Sequence, residues 1–228
     1  MNNKIVLKNI SKKYFTNTNI KVLNDLNFTF EKGKIYSLIG PSGSGKSTLL
    51  NILSLIDTPN SGSINFLGNK INFQEKKYND KIRSKKIGII YQDKNLLTDF
   101  SALENVLFPM LLVTNNKNAS ILRARKILSK FGLLSRINHY PSELSGGEIQ
   151  RVAISRALIN EPEIILADEP TGSLDHDNAK QIFKFLLKLK NKNRIIIFAT
   201  HNRYFANMAD CKLQMNNGKI KLTNARVD

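Results

Sequence analysis

The sequence predicts an α/β fold with a mostly parallel sheet, and three observations predict it. Short runs of branched apolar residues stand apart as strands, the clearest being Ile35–Ile39, Ile164–Ala167 and Ile195–Ala199. From Ser145 onward such runs alternate with helix-length segments, the order that a parallel sheet covered on both faces requires. The 228 residues suit one domain with a sizeable core, and no run reaches the roughly 18 uncharged apolar residues of a membrane span.

Taken in order, Ile5–Ile10, Val22–Phe30 and Ile35–Ile39 read as strands, with Glu31-Lys32-Gly33-Lys34 as a turn. Ser63–Leu67 adds a strand before Gly68, and a charged stretch from Gln74 to Lys86 precedes the apolar run Ile87–Tyr91. Ala102–Leu112 and Ala119–Phe131 then read as helices. The second places Ile121, Ala124, Leu128 and Phe131 on one face and leaves Arg123, Arg125, Lys126 and Lys130 for a solvated surface. A helix from Ser145 to about Asn160 leads to the strand Ile164–Ala167, and a helix from Asn178 to Leu189 leads to Ile195–Ala199. A short helix near Tyr204–Ala209 and a hairpin at Asn216-Asn217-Gly218 close the chain. We expect one domain: residues 1–92 and 141–228 form the core with an antiparallel β edge, and about 93–140 form an inserted helical subdomain.

The net charge of +17 does not by itself argue for nucleic acid. The basic residues run along the whole chain, 26 lysines against 9 arginines, beside abundant Asn and Ile. An AT-rich genome would produce that balance; a weak attraction to a membrane surface is the alternative. Met1–Ile5 leads into strand-like sequence without an apolar signal core, so the chain is expected to stay in the compartment where it is made. The lone Cys211 fits a reducing cytoplasm.

Gly40-Pro41-Ser42-Gly43-Ser44-Gly45-Lys46-Ser47, followed by Thr48, matches G-x-x-x-x-G-K-[ST] between a strand and a helix. Small residues let the backbone wrap closely, so that successive N–H groups and the positive end of the next helix meet phosphate oxygens. Lys46 then reaches the β- and γ-phosphates of ATP, and the Ser47 hydroxyl ligates Mg²⁺. Ile164 to Glu169 is a buried-type strand ending in two carboxylates, where α/β sheets place their ligands. Asp168 would hold Mg²⁺, and Glu169 would polarise the attacking water. Leu144-Ser145-Gly146-Gly147-Glu148 forms a second anion-binding helix start, about a hundred residues from the first. A plain capped helix accounts for the bare Ser-Gly-Gly. Two such sites in one domain instead suggest a head-to-tail pair, each subunit closing its second site over the other's nucleotide.

The phosphate loop, Gln92 after a strand, Leu144 to Glu148, Asp168-Glu169, Ser173-Leu174-Asp175 and His201, in that order, resemble an ABC ATPase along nearly the full chain. The resemblance implies a P-loop NTPase core. It implies that Tyr14 stacks on adenine, and that Gln92 senses the γ-phosphate, joins the metal site and contacts a membrane partner. Ser145, Gly146, Gly147 and Glu148 would act on the other subunit's ATP, Asp175 would couple the two sites, and His201 would hold the γ-phosphate. Each of four has a plain structural alternative: Tyr14 as a packed aromatic, Gln92 as a surface amide, Asp175 as a helix-capping residue and His201 as a strand-end histidine.

Leu96 to Val106, Tyr140-Pro141-Ser142-Glu143, Ala167 to Leu174 and Leu213 to Ile220 are similar to the lipoprotein-releasing ABC ATPases, whose subgroup includes macrolide-exporter and cell-division members. This implies a peripheral homodimer at the cytoplasmic face of the inner membrane. It would be bound to integral permease subunits, would meet lipoprotein only through them, and would have no nucleic-acid partner. Asp93-Lys94-Asn95, Ile149 and Asn202 depart from the expected pattern without removing a chemical group. A soluble ABC ATPase acting on ribosomes or DNA is the rival. It usually carries two ATPase units, or long coiled coils between phosphate loop and signature, which this chain lacks.

Overall fold

The computed structural model describes residues 3–15, 19–114 and 116–225. In chain order the strands and helices are β1 (Lys4–Phe15), β2 (Asn19–Glu31), β3 (Ile35–Ile39), α1 (Lys46–Leu53), β4 (Ser61–Phe66), β5 (Asn69–Lys70), α2 (Lys76–Lys86), β6 (Ile87–Ile90), α3 (Ala102–Leu111), α4 (Lys117–Lys130), α5 (Gly146–Leu158), β7 (Ile164–Asp168), α6 (His176–Lys188), β8 (Ile195–Ala199), α7 (Arg203–Ala206), β9 (Cys211–Asn216) and β10 (Lys219–Ala225). They fall into two compact units, Met1–Lys81 with Lys190–Asp228, and Ile82–Leu189.

In the first unit, β2, β1, β4 and β5 form an antiparallel sheet. β1 turns Ile5, Leu7 and Ile10 into the core and pairs Ile5 with Phe30. The register slips after Leu7, where Asn9 takes a φ of 51°. That is the extra residue of a bulge, and the Asn27 side chain accepts its N–H at 2.9 Å. β3 lies parallel to both β8 and β9, and β10 closes an antiparallel hairpin on β9. Burial of nearly every residue of β3 and β8 explains why neither alternates apolar with exposed polar positions; the one hydroxyl inside β3, Ser37, donates to the Ala206 carbonyl at 3.0 Å. The hairpin turns at Asn217 and Gly218, both at positive φ as a two-residue turn of this kind requires.

In the second unit, β6 and β7 pair in parallel, Ile90 opposite Ala167. α3, α4 and α5 pack on one another, and Val106, Leu107, Ala124, Leu128 and Ile154 on them are buried. The α4 face runs as its periodicity predicts, although Ile121 is only half-buried. Arg123 departs from the expected solvated surface: it donates to the Ile159 carbonyl at 2.6 Å and pairs with Glu161. The charged stretch that gave no element from sequence forms α2. Lys and Arg are good helix formers, and Arg83, Lys85 and Lys86 in the last turn favour the negative helix end.

Candidate active site

The phosphate loop leaves β3 at Ile39 and enters α1 at Lys46. Gly45 caps that helix at a φ of 102°, a conformation that favours glycine, and a Cβ there would sit 2.9 Å from both Leu23 Cδ2 and the Val22 carbonyl. α1 has no side-chain cap and no acid in its first turn, so no carboxylate of that turn offsets the positive end of its dipole. Lys46 Nζ donates to the carbonyl oxygens of Gly40 at 2.9 Å and Pro41 at 3.0 Å, which seats the ammonium over the loop. Pro41, Ser42, Gly43 and Ser47 are exposed, Gly40 and Thr48 half-buried, and Ser44 and Lys46 buried. A loop built in this way fits a nucleotide triphosphate.

Tyr14, on β1 of the same unit, is 37% exposed. Its hydroxyl donates to Asp57 Oδ2 at 2.7 Å. His201 follows β8 and is exposed. Because Ala199 pairs with Leu38, His201 and Gly40 emerge from the carboxyl ends of adjacent parallel strands.

In the second unit the same logic applies to Gln92 and the carboxylates. Gln92 follows β6, Asp168 ends β7, and the two strands are neighbours. Glu169 takes a φ of 43°, a left-handed conformation that costs a bulky residue on the order of 1–3 kcal/mol and gathers at functional sites. Its carbonyl accepts the Gly172 N–H at 3.0 Å. A Cβ on Gly172 would lie 3.4 Å from Glu169 Cβ and 3.6 Å from Gln92 Nε2, so both side chains border this glycine.

Ser145 caps α5. Its hydroxyl accepts the Glu148 N–H at 3.3 Å, and Glu148 Oε2 accepts the Ser145 N–H at 2.8 Å. Arg136 donates to the other Glu148 oxygen at 3.0 Å. The Ser145 N–H, outweighing partial burial and helped by Arg136, holds the Glu148 carboxyl at about 2. Gly147 is buried, and a Cβ on it would meet Asn178 Oδ1 at 2.7 Å. The Asn178 amide donates to Asp175 Oδ2 at 2.6 Å, while Asp175 caps α6 by accepting the N–H groups of Asp177 and Asn178. Gly146 lies 3.8 Å from Leu174 and from Lys94 Nζ by the same measure. The second unit therefore gathers Ser145, Gly146, Gly147 and Asp175, through Asn178 and Leu174.

Sequence reading missed four supports. Asn178 separates Gly147 from Asp175. Arg156 of α5 donates to the Lys94 and Asn95 carbonyls at 2.9 and 2.7 Å, fixing the chain just past Gln92. Asn105, fully buried in α3, accepts the Leu97 N–H and donates to the carbonyls of Leu97, Phe100 and Ser101. An amide inside the apolar run Ala102–Leu111 was a signal that could have revealed it. The fourth is the Lys12–Asp57 pair behind Tyr14, for which no local pattern exists.

Residues 23–172 match the family model of the ABC transporter. The chain is 45% identical over 226 residues to the lipoprotein-releasing system ATP-binding protein LolD of Rickettsia bellii, covering 98% of this chain and 100% of that one. It is 46% identical to LolD of Wigglesworthia glossinidia brevipalpis, covering 96% and 98%. Among solved structures, the dimeric ATP-binding cassette MJ0796 in a post-hydrolysis state bound to ADP and Pi superposes with a TM-score of 0.90 at 35% identity, over 98% of this chain and 99% of that chain.

Proposed function

This chain belongs to the ABC transporter family of ATP-binding proteins, and on that premise we propose that it is the ATPase subunit of a lipoprotein-releasing complex. The observation that carries the cargo is the match, over nearly the whole length of both chains, to relatives that bear that name. The chain binds ATP at Gly40–Thr48, with Tyr14 against the adenine. Lys46 shifts from the loop carbonyls to the β- and γ-phosphates, exchanging neutral acceptors for charged ones in a stronger hydrogen bond. Ser47, Gln92 and Asp168 offer a hydroxyl, an amide and a carboxylate, the oxygen donors that suit Mg²⁺. That ion, when bound, neutralises charge developing on the transferred phosphate. Glu169 polarises the attacking water, and His201 holds the γ-phosphate. Ser145, Gly146, Gly147 and Glu148 act on the nucleotide of a second copy, and Asp175 couples the two sites.

No described helix is long and apolar enough to cross a membrane. In this reading membrane attachment falls to permease subunits, which bind around Gln92 to Val106 at the cytoplasmic face of the inner membrane. The domain organisation proposed with this reading keeps 1–92 and 141–228 as the core and about 93–140 as the helical subdomain.

The test is to purify tagged Glu169→Gln protein with ATP from gently solubilised membranes. The variant is expected to retain ATP while phosphate release falls by about a hundredfold or more. A permease with a large periplasmic domain and bound lipoprotein is expected to accompany it. A drug-export or cell-division permease would keep the motor and replace the cargo. Ribosomes or DNA alone would overturn the transport reading, and near-parental phosphate release would remove Glu169 from its role.

A further inference from the structure

We propose that Asp57, clamped by Lys12, is a positioning residue that holds the Tyr14 ring ready for the adenine base. The proposal rests on the reading of Tyr14 as the adenine platform. Lys12 and Tyr14 stand two apart on β1, so both side chains leave the same face of the strand. Asp57 comes from the turn that follows α1, some forty-five residues on.

Lys12 is almost buried, and an ammonium drawn out of water needs full compensation. It finds this in Asp57 Oδ1 at 2.5 Å and the Thr58 carbonyl at 2.7 Å. The Thr58 N–H also donates to Oδ1, at 2.7 Å. With one carboxylate oxygen gripped from two sides, the other points at the Tyr14 hydroxyl and accepts from it at 2.7 Å. Burial alone would raise the Asp57 carboxyl, but the hydrogen bonds from Lys12 and Tyr14 outweigh it and keep the group ionised. Further bonds bind the turn to β1: Asn60 donates its N–H to the Ser11 carbonyl, and the Lys13 N–H donates to Asn60 Oδ1.

The consequence is geometric. The Tyr14 hydroxyl is held by Asp57, and Asp57 is tied back to α1, the helix that follows the phosphate loop, by its N–H to the Asn51 carbonyl at 3.1 Å. The aromatic platform and the phosphate cradle thereby become one piece, whose spacing is set before nucleotide arrives. Lys12 Nζ lies over the ring, 4.9 Å from its centroid, so the base takes the opposite face of an already polarised ring. Ordering such a side chain at the moment of binding would cost about 1 kcal/mol, or roughly fivefold in affinity.

Calorimetric titration of the full chain with Mg·ATP and with Mg·tripolyphosphate, which has no base, tests this. Tyr14→Phe keeps a ring that can stack but loses the hydroxyl. It is expected to bind ATP about fivefold more weakly while tripolyphosphate affinity stays within about twofold. Asp57→Asn is expected to behave alike, and the double variant to lose no more than either alone. Parental ATP affinity in Tyr14→Phe would overturn the proposal, as would equal losses for both ligands, which indicate general loosening. Tyr14→Ala separates the underlying reading, because loss of stacking should weaken ATP by roughly tenfold to a hundredfold. If that variant binds ATP normally, Tyr14 is no platform and there is nothing for Asp57 to position.

Discussion

Two helices of this chain start at glycine-rich turns and complete their N-termini in opposite ways. α1 begins after a left-handed glycine, with no side-chain cap and no acid in its first turn. α5 begins at Ser145 with a reciprocal capping box and an acid in the first turn that is itself paired to Arg136. The first end takes no cap from a side chain; the second is capped within the chain. A ligand at α5 would gain only the bonds that capping has left over, which would suit the proposed role of that segment in engaging and releasing a second copy. The difference lies in one residue type at the cap, glycine against serine, and in what stands three residues later.

Lys46→Ala tests the comparison with the largest effect. It removes the cation from the end without a side-chain cap, and loss of a charge-assisted hydrogen bond should weaken ATP by roughly tenfold to a hundredfold. Equilibrium binding checks this, and unchanged affinity would mean that α1 does not depend on its lysine. At the capped end the effect should move from binding to stability. Ser145→Ala should cost about 1 kcal/mol of folding stability, a melting-temperature drop of about 2–4 °C. Ser145→Asp restores a cap, so it should recover the melting temperature yet leave ATP turnover low, because in the proposed role of Ser145 a carboxylate would then face phosphate. Recovery of turnover together with stability would reduce Ser145 to a cap alone.

The smallest effect concerns acid. Glu148 titrates at about 2 in the fold against an ordinary 4.5, chiefly because the Ser145 N–H favours its charged form. A depressed carboxyl contributes its stabilisation fully above about pH 4.5 and loses it as pH falls towards 2. The urea midpoint of the parent should therefore fall more steeply than that of Glu148→Gln as the solution is acidified through this window. Parallel curves would show that the box contributes nothing to the fold.

The features legible in the sequence were those written locally. The phosphate loop, the Ser145 cap and the buried strands each occupy consecutive residues whose types dictate a backbone path. The hairpin at Asn217-Gly218 belongs with them, since only a few residues tolerate that turn. What could not be read were partnerships across sequence. Asp57 means nothing until β1 brings Lys12 and Tyr14 to it, and the smallness of Gly147 is explained only by Asn178 standing against it. The α2 segment failed for another reason: its helix buries only Asn79, so it has no apolar period to detect. The left-handed backbone of Glu169 was equally invisible, because no propensity points a glutamate there.

Asn105 has a consequence for how this surface can change over generations. One amide in α3 holds the backbone from Leu97 to Ser101 by four hydrogen bonds, while the side chains of Leu97, Thr98 and Asp99 face outward. The path of the loop is thus encoded in a residue that a docking partner never meets. Substitutions at the three outward positions can accumulate one by one, each altering what the loop offers to a neighbour and none disturbing the course of the chain. Inheritance of shape and drift of specificity are assigned to different residues, so a new partner can be acquired without a new fold.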